Sequence, residues 1–130
     1  MAGGLTNAGC SAIAVYVTGN VAGIATFSST TAYLGIGSAS TAFAASQTDL
    51  QEGTNKSRKP MQTGYPTVSN QTMVHRALWT ASSANHRWQE LGLFNASSGG
   101  TMLYRDVQDL GTKPGTQSWQ LTVTAQLAVD

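Results

Sequence analysis

The sequence predicts an all-β protein: an antiparallel β-sandwich of jelly-roll kind, with a short helix near its N-terminal end. Three observations carry this. Residues Ser118 to Val129 alternate polar and apolar, with Trp119, Leu121, Val123, Ala125, Leu127 and Val129 on one side. Successive side chains of a pleated strand point to opposite faces, so this period of two specifies a strand with one buried face. At about 3.3 Å per residue it would run roughly 40 Å. From Thr72 onward, further strand-like segments follow one another across short turns, as in an antiparallel meander or part of a Greek key. Finally, 41% of the 130 residues are hydrophobic, three are tryptophan and only 10% are charged, a composition able to bury one core without disulfides or metals.

Taken in order, Leu5-Thr6-Asn7 offers a helix cap, and Cys10, Ile13, Ala14 and Val17 follow at helical spacing. A strand with Ile13, Val15 and Val17 on one side competes, and the helix is preferred. Val21 to Phe27 and Thr31 to Ile36 read as strands. The glycines of YLGIGSAS mark a bulge or a close backbone approach. Residues 47–70 have little periodicity and most of the charge, and read as a long loop or arm of a single domain spanning 1–130. Thr72 to Trp79 is a strand with Met73, His75, Ala77 and Trp79 on one side. ASSAN turns the chain into the strand Arg87 to Phe94, NASSGG closes a hairpin, Thr101 to Val107 returns, and the loop DLGTKPGT precedes the final strand. The expected core is Trp79, Trp88, Leu91, Leu93, Phe94, Trp119, Leu121, Val123 and Leu127.

The charge inventory narrows function. A net charge of +1 lacks the basic stripe of a nucleic-acid binder. A surface so poor in charge suits covered surface in an oligomer or assembly better than a free monomer. The one basic cluster, Lys56, Arg58 and Lys59, is a candidate contact for an acidic partner. MAGGLTNAG lacks the basic start of a secretory signal, and no apolar stretch approaches membrane-spanning length. Asn95-Ala96-Ser97 matches a glycosylation triplet that means little without such a signal.

Catalytic chemistry needs convergent titratable groups, and few are present. His75 lies inside a strand, as a packing or hydrogen-bonding residue, and His86 starts the next, exposed; neither has an acid pair nearby to build a metal site. Cys10, alone in an apolar segment, reads as an inert small hydrophobe. YLGIGSAS lacks the third glycine of a dinucleotide loop, and no nucleophile elbow occurs. Glu90 shares a strand face with Trp88 and Gly92; if buried it needs a cation, which Arg76 or Arg105 can supply as a structural ion pair. The tryptophans could form a sugar-binding platform, but core positions explain them better. The expectation is no enzyme and no cofactor.

Three segments, SQTDLQEGTNKSRKPMQTGYP, RALWTASSANHRWQELGLFNASSGGTMLYRDV and LGTKPGTQSWQLTVT, resemble small virion proteins of tailed bacteriophages. The resemblance rests on Trp88, Glu90, Gly92, Phe94, Asn95, Gly99, Gly100, Met102, Leu103, Arg105 and Trp119 to Thr124. The opening LTNAG is similar to the start of tail-collar and fibre modules. These are framework positions, so the resemblance implies no binding site residue by residue. It implies a capsid cement (decoration) protein: made in the host cytoplasm, placed on the outer capsid surface, oligomeric, with a homodimer preferred over a trimer, and bridging major capsid protein subunits. Lys56, Arg58 and Lys59 would face the shell. A tail-fibre or collar subunit and a carbohydrate-binding module are the alternatives.

Overall fold

The structure, a computed structural model, describes residues 2–19 and 23–127. Its strands are β1 (Ala2–Leu5), β2 (Tyr33–Gly37), β3 (Lys56–Pro60), β4 (Thr67–Ser69), β5 (Thr72–Trp79), β6 (Arg87–Phe94), β7 (Met102–Thr112) and β8 (Trp119–Gln126), with one helix, α1 (Asn7–Thr18). They form two antiparallel sheets, one in the order β1-β7-β6-β2-β3 and the other β4-β5-β8. The chain is an all-β sandwich.

Leu34 and Ile36 of β2 stand opposite Leu93 and Leu91 of β6, and this row packs against Ala77 and Trp79 of β5. Trp88 lies edge-to-face against Trp79 and Trp119, with ring centroids 5.0 and 5.1 Å apart. Each such pair adds about 0.5–1.5 kcal/mol beyond its buried area. The register of β6 on β7 shifts between Trp88 and Glu90. Between them one β6 residue, Gln89, stands against three of β7, Gln108 to Leu110, and such an irregularity re-aims side chains. Trp88 therefore joins the interlayer core while Glu90 turns to the opposite face, where the period of two had put them together.

That opposite face of the large sheet is also buried, beneath the segment that runs from β2 to β3. Leu50 from this segment packs on Phe94 and Met102 in a second small core. Glycines make the room. A Cβ on Gly35 would come within 2.8 Å of the Phe94 ring, and one on Gly37 would overlap the Glu90 carboxylate. The close approach expected of YLGIG is what the structure contains.

The helix forms where its cap predicts. The Thr6 hydroxyl accepts the Gly9 N–H at 2.9 Å and donates to the Met102 carbonyl, and the Thr6 N–H donates to the Leu103 carbonyl at 3.0 Å. Gly9 rests on the Leu103 carbonyl, where any Cβ would overlap it. Gly19, with φ 68°, ends the helix in the left-handed conformation that glycine adopts without strain.

Several expectations are corrected. Segment 47–70 is not one loop, because β3 and β4 lie within it. Of the strand expected over Val21 to Phe27, Val21 and Ala22 lie outside the described residues, and Gly23 to Phe27 form no strand. β7 runs on to Thr112, which shortens the loop before β8. β8 ends at Gln126; Leu127 follows it 50% exposed and is not core, and Val129 lies outside the described residues. Trp119, Leu121 and Val123 are half-buried at the edge of the core, whereas Trp79, Trp88, Leu91, Leu93 and Phe94 are buried. Cys10 is exposed on α1 rather than packed.

Candidate binding site

The five-stranded sheet is wider than its partner, and the mismatch leaves a groove. A cavity of about 560 Å³ lies between the outer part of β8 and strands β7 and β1. Its walls are mainly apolar, from Leu121, Val123, Ala125, Leu91, Leu110 and Met73. Tyr104 and Asp106 of β7 also line it, because they stand opposite Leu93 and Leu91 on the inward face. Both are buried, and neither the Tyr104 hydroxyl nor Asp106 Oδ1 has a hydrogen-bond partner among the described residues. Burial, with the Asp106 carboxylate adding to it, raises the Tyr104 pKa above the usual phenol value, so the hydroxyl keeps its proton at neutral pH. An apolar cavity with a few convergent polar groups is the usual form of a binding pocket.

A second cavity, about 340 Å³, adjoins the first through Leu5, Met73 and Leu127. Helix residues Ile13 and Tyr16 and strand residues Leu103 and His75 line it. His75 is buried with both ring nitrogens unpartnered among the described residues. Burial holds its pKa below the usual histidine value, against a smaller contribution from the Phe27 backbone. The expected packing role is therefore met, but no hydrogen bond accompanies it. Around this mouth stand the exposed side chains of Leu5 and Val68, the latter 72% exposed.

Glu90 and Arg105 form the ion pair that the sequence pointed to. Arg105 Nε donates to Glu90 Oε1 at 2.9 Å with neither side chain exposed. Glu90 also accepts the Gln51 and Glu52 N–H groups at 2.8 and 3.0 Å, and Arg105 Nη1 donates to Gln47 Oε1 at 3.1 Å. The pair pins the covering segment to the sheet. Arg76 takes no part in it. Arg76 lies on the other sheet, donates to Thr122 Oγ1 at 3.0 Å and stacks over Tyr65.

The basic cluster lies on β3, at the edge of the large sheet. Arg58 is committed within the fold: it pairs with Asp49 at 3.1 Å, donates to the carbonyls of Ala96 and Gly99, and sits 3.5 Å over the Phe94 ring. Lys56 pairs with Asp49 at 3.1 Å. Partial burial acts to raise the Asp49 pKa, but hydrogen bonds from Lys56, the Leu50 N–H and Arg58 outweigh it and hold the carboxyl below its usual value. Lys59 is half-buried.

His86 is half-buried rather than exposed, with Nδ1 2.9 Å from Ser38 Oγ and 3.0 Å from the Arg87 carbonyl. The three tryptophans pack on one another across the sandwich, Trp79 and Trp88 buried and Trp119 half-buried. Sequence reasoning missed Lys113, which is buried with Nζ donating to Asn85 Oδ1 at 2.7 Å and to the Ala81 carbonyl at 3.2 Å. It also missed Tyr104 and Asp106, whose alternation with Arg105 was the available signal. Among the described residues no cluster of three or more His, Cys, Asp or Glu could hold a metal, and no helix is long and apolar enough to cross a membrane.

Compared with known proteins, the chain matches no protein-family model, and no curated protein is similar to it in sequence.

Proposed function

We propose that the chain is a structural virion protein: a capsid decoration (cement) protein that binds the outside of an assembled bacteriophage shell and bridges major capsid protein subunits. One observation carries this reading. The outward face of the small sheet bears Thr67, Ser69, Thr72, Val74, Arg76 and Leu78, and in register with them Gln120, Thr122, Thr124 and Gln126. Its single charge, Arg76, already bonds to Thr122. Bringing this face against another protein desolvates hydroxyls, amides and a single ion, Arg76, which keeps its bond to Thr122 and its stacking on Tyr65, so such a face suits close protein contact. In this reading the sandwich is a jelly-roll subunit, the neutral face meets a second copy in a homodimer, and the β3 edge, with Lys56 and Lys59 on its two sides, meets an acidic shell. Arg58 maintains the shape of that edge.

A ligand that binds only the assembled shell stabilises it by mass action, multiplied over many copies. Purified protein mixed with intact shells should cosediment at hundreds of copies per particle and raise the temperature at which the shells rupture. Equal rupture temperature with and without saturating protein rejects the role. Density confined to the tail, at few copies, replaces it with the fibre or collar reading.

A further inference from the structure

Among the described residues the sandwich has four free strand edges: β1 and β3 in the large sheet, β4 and β8 in the small one. A free edge exposes unpaired N–H and C=O groups, and natural sheets guard such edges with short strands, lysines, prolines or bulges. Three of the four are guarded. β1 has four residues, two of them glycine, and β4 has three. β3 carries Lys56, Arg58, Lys59 and Pro60. β8 has none of these devices: it is eight residues long, WQLTVTAQ, without charge, proline or glycine, in unbroken register with β5. In an antiparallel pair every second residue of the edge strand turns its N–H and C=O away from its neighbour.

This unguarded edge borders the groove. Residues Leu121 to Leu127 line the 560 Å³ cavity whose floor is β7 and β1. A strand laid beside β8 would continue the small sheet, and its inward side chains would extend the row of Leu121, Val123 and Ala125 into the cavity. At the floor these side chains would meet Tyr104 and Asp106, both buried, with the Tyr104 hydroxyl and Asp106 Oδ1 unpartnered among the described residues. β7 and β1 lie under the edge as the floor of this space. A second sandwich brought up to β8 would set its own β7 and β1 against these.

We propose that β8 and the groove beneath it form a strand-accepting site that binds an extended segment of another polypeptide, apolar at alternate positions, with one lysine or arginine reaching Asp106. Backbone hydrogen bonds to the β8 edge supply affinity, the alternate pockets set register, and the carboxylate selects the cation. The site does not depend on the virion reading, and its test uses the isolated chain.

The probe is a synthetic Thr/Val-alternating peptide of about nine residues, long enough to run beside β8 at about 3.3 Å per residue, with one central lysine. Titration should shift and protect the amides of β8 that face away from β5. Exchanging the lysine for norleucine should weaken binding about tenfold, the size of one charge-assisted hydrogen bond. D106N should remove that preference without changing affinity for the norleucine peptide. A peptide N-methylated at alternate residues should not bind. Equal binding of the N-methylated peptide, equal affinity for the two unmethylated peptides, or no binding at millimolar concentration overturns the proposal. So does protection of the β8 edge in a peptide-free dimer, which would assign the edge to a second copy.

Discussion

Arg105 Nε lies 2.9 Å from Glu90 Oε1, on the face of the large sheet away from the small one, and neither side chain touches solvent. The relationship closes a circuit: the same carboxylate accepts two backbone N–H groups from residues 51 and 52. A pair held in this way organises the covering segment, whatever its net contribution to stability.

Glu90→Gln should therefore cost about 3–5 kcal/mol in denaturant unfolding, since it leaves the Arg105 guanidinium buried without its counter-charge. Replacing both residues, as E90L with R105M, should cost much less than the two single changes added together. An E90Q loss below about 1 kcal/mol would show that the pair is dispensable.

His75 gives the fold an acid sensitivity. Its folded pKa lies below the unfolded value of about 6.5, so the neutral ring's contribution is complete above that pH. As pH falls below about 6.5 the unfolded chain takes up a proton that the folded ring resists, and stability drops until the folded pKa is passed. His75→Leu should flatten this slope. It should also stabilise the protein by about 1–2 kcal/mol at neutral pH, because it removes two unpartnered buried nitrogens. An unchanged slope of unfolding free energy against pH in H75L would assign the sensitivity elsewhere.

Two glycines separate a steric demand from a mere glycine. Gly37→Ala would drive a methyl into the Glu90 carboxylate and should destabilise by about 1–3 kcal/mol. Gly53→Ala meets nothing within 4 Å and should lie within about 0.5 kcal/mol of the parent. Thermal melts of the two variants side by side make the comparison.

Lys113 ties two turns together through Asn85 and the Ala81 carbonyl. Lys113→Met keeps the volume but removes the donors, and should cost about 1–3 kcal/mol. Hydrogen exchange should quicken in residues 80–86 before the sheets respond. Uniform acceleration across the whole chain would contradict this local role.

The parts of the fold that were legible obey strong local rules. Thr72 to Trp79 and Arg87 to Phe94 match their strands to the residue because each is a run of strand-forming residues bounded by turn residues. Thr6 announced its helix as a cap. β3 was missed because KSRKP has no alternation to read: it is strand through its partner, pairing in register with YLGIG. The irregularity where Gln89 faces three residues of β7 was equally hidden, so Glu90 was found with the right partner, Arg105, but on the wrong face. Arg76 was drawn into the pair because two sheets cannot be told apart in one dimension. The groove depends on strand order, and nothing local to β8 says that β7 and β1 run beneath it.

The first strand has its own consequence. Gly3 pairs with Asp106 and Leu5 with Tyr104, and the Thr6 cap reaches Met102 across 96 positions of sequence. Closing loops of that size is entropically slow. A nascent chain leaving the ribosome would thus hold β1 unpaired until β7 had emerged. Completion of the large sheet waits for β7, and a truncation that removes β7 strands β1 as surely as it uncovers β6.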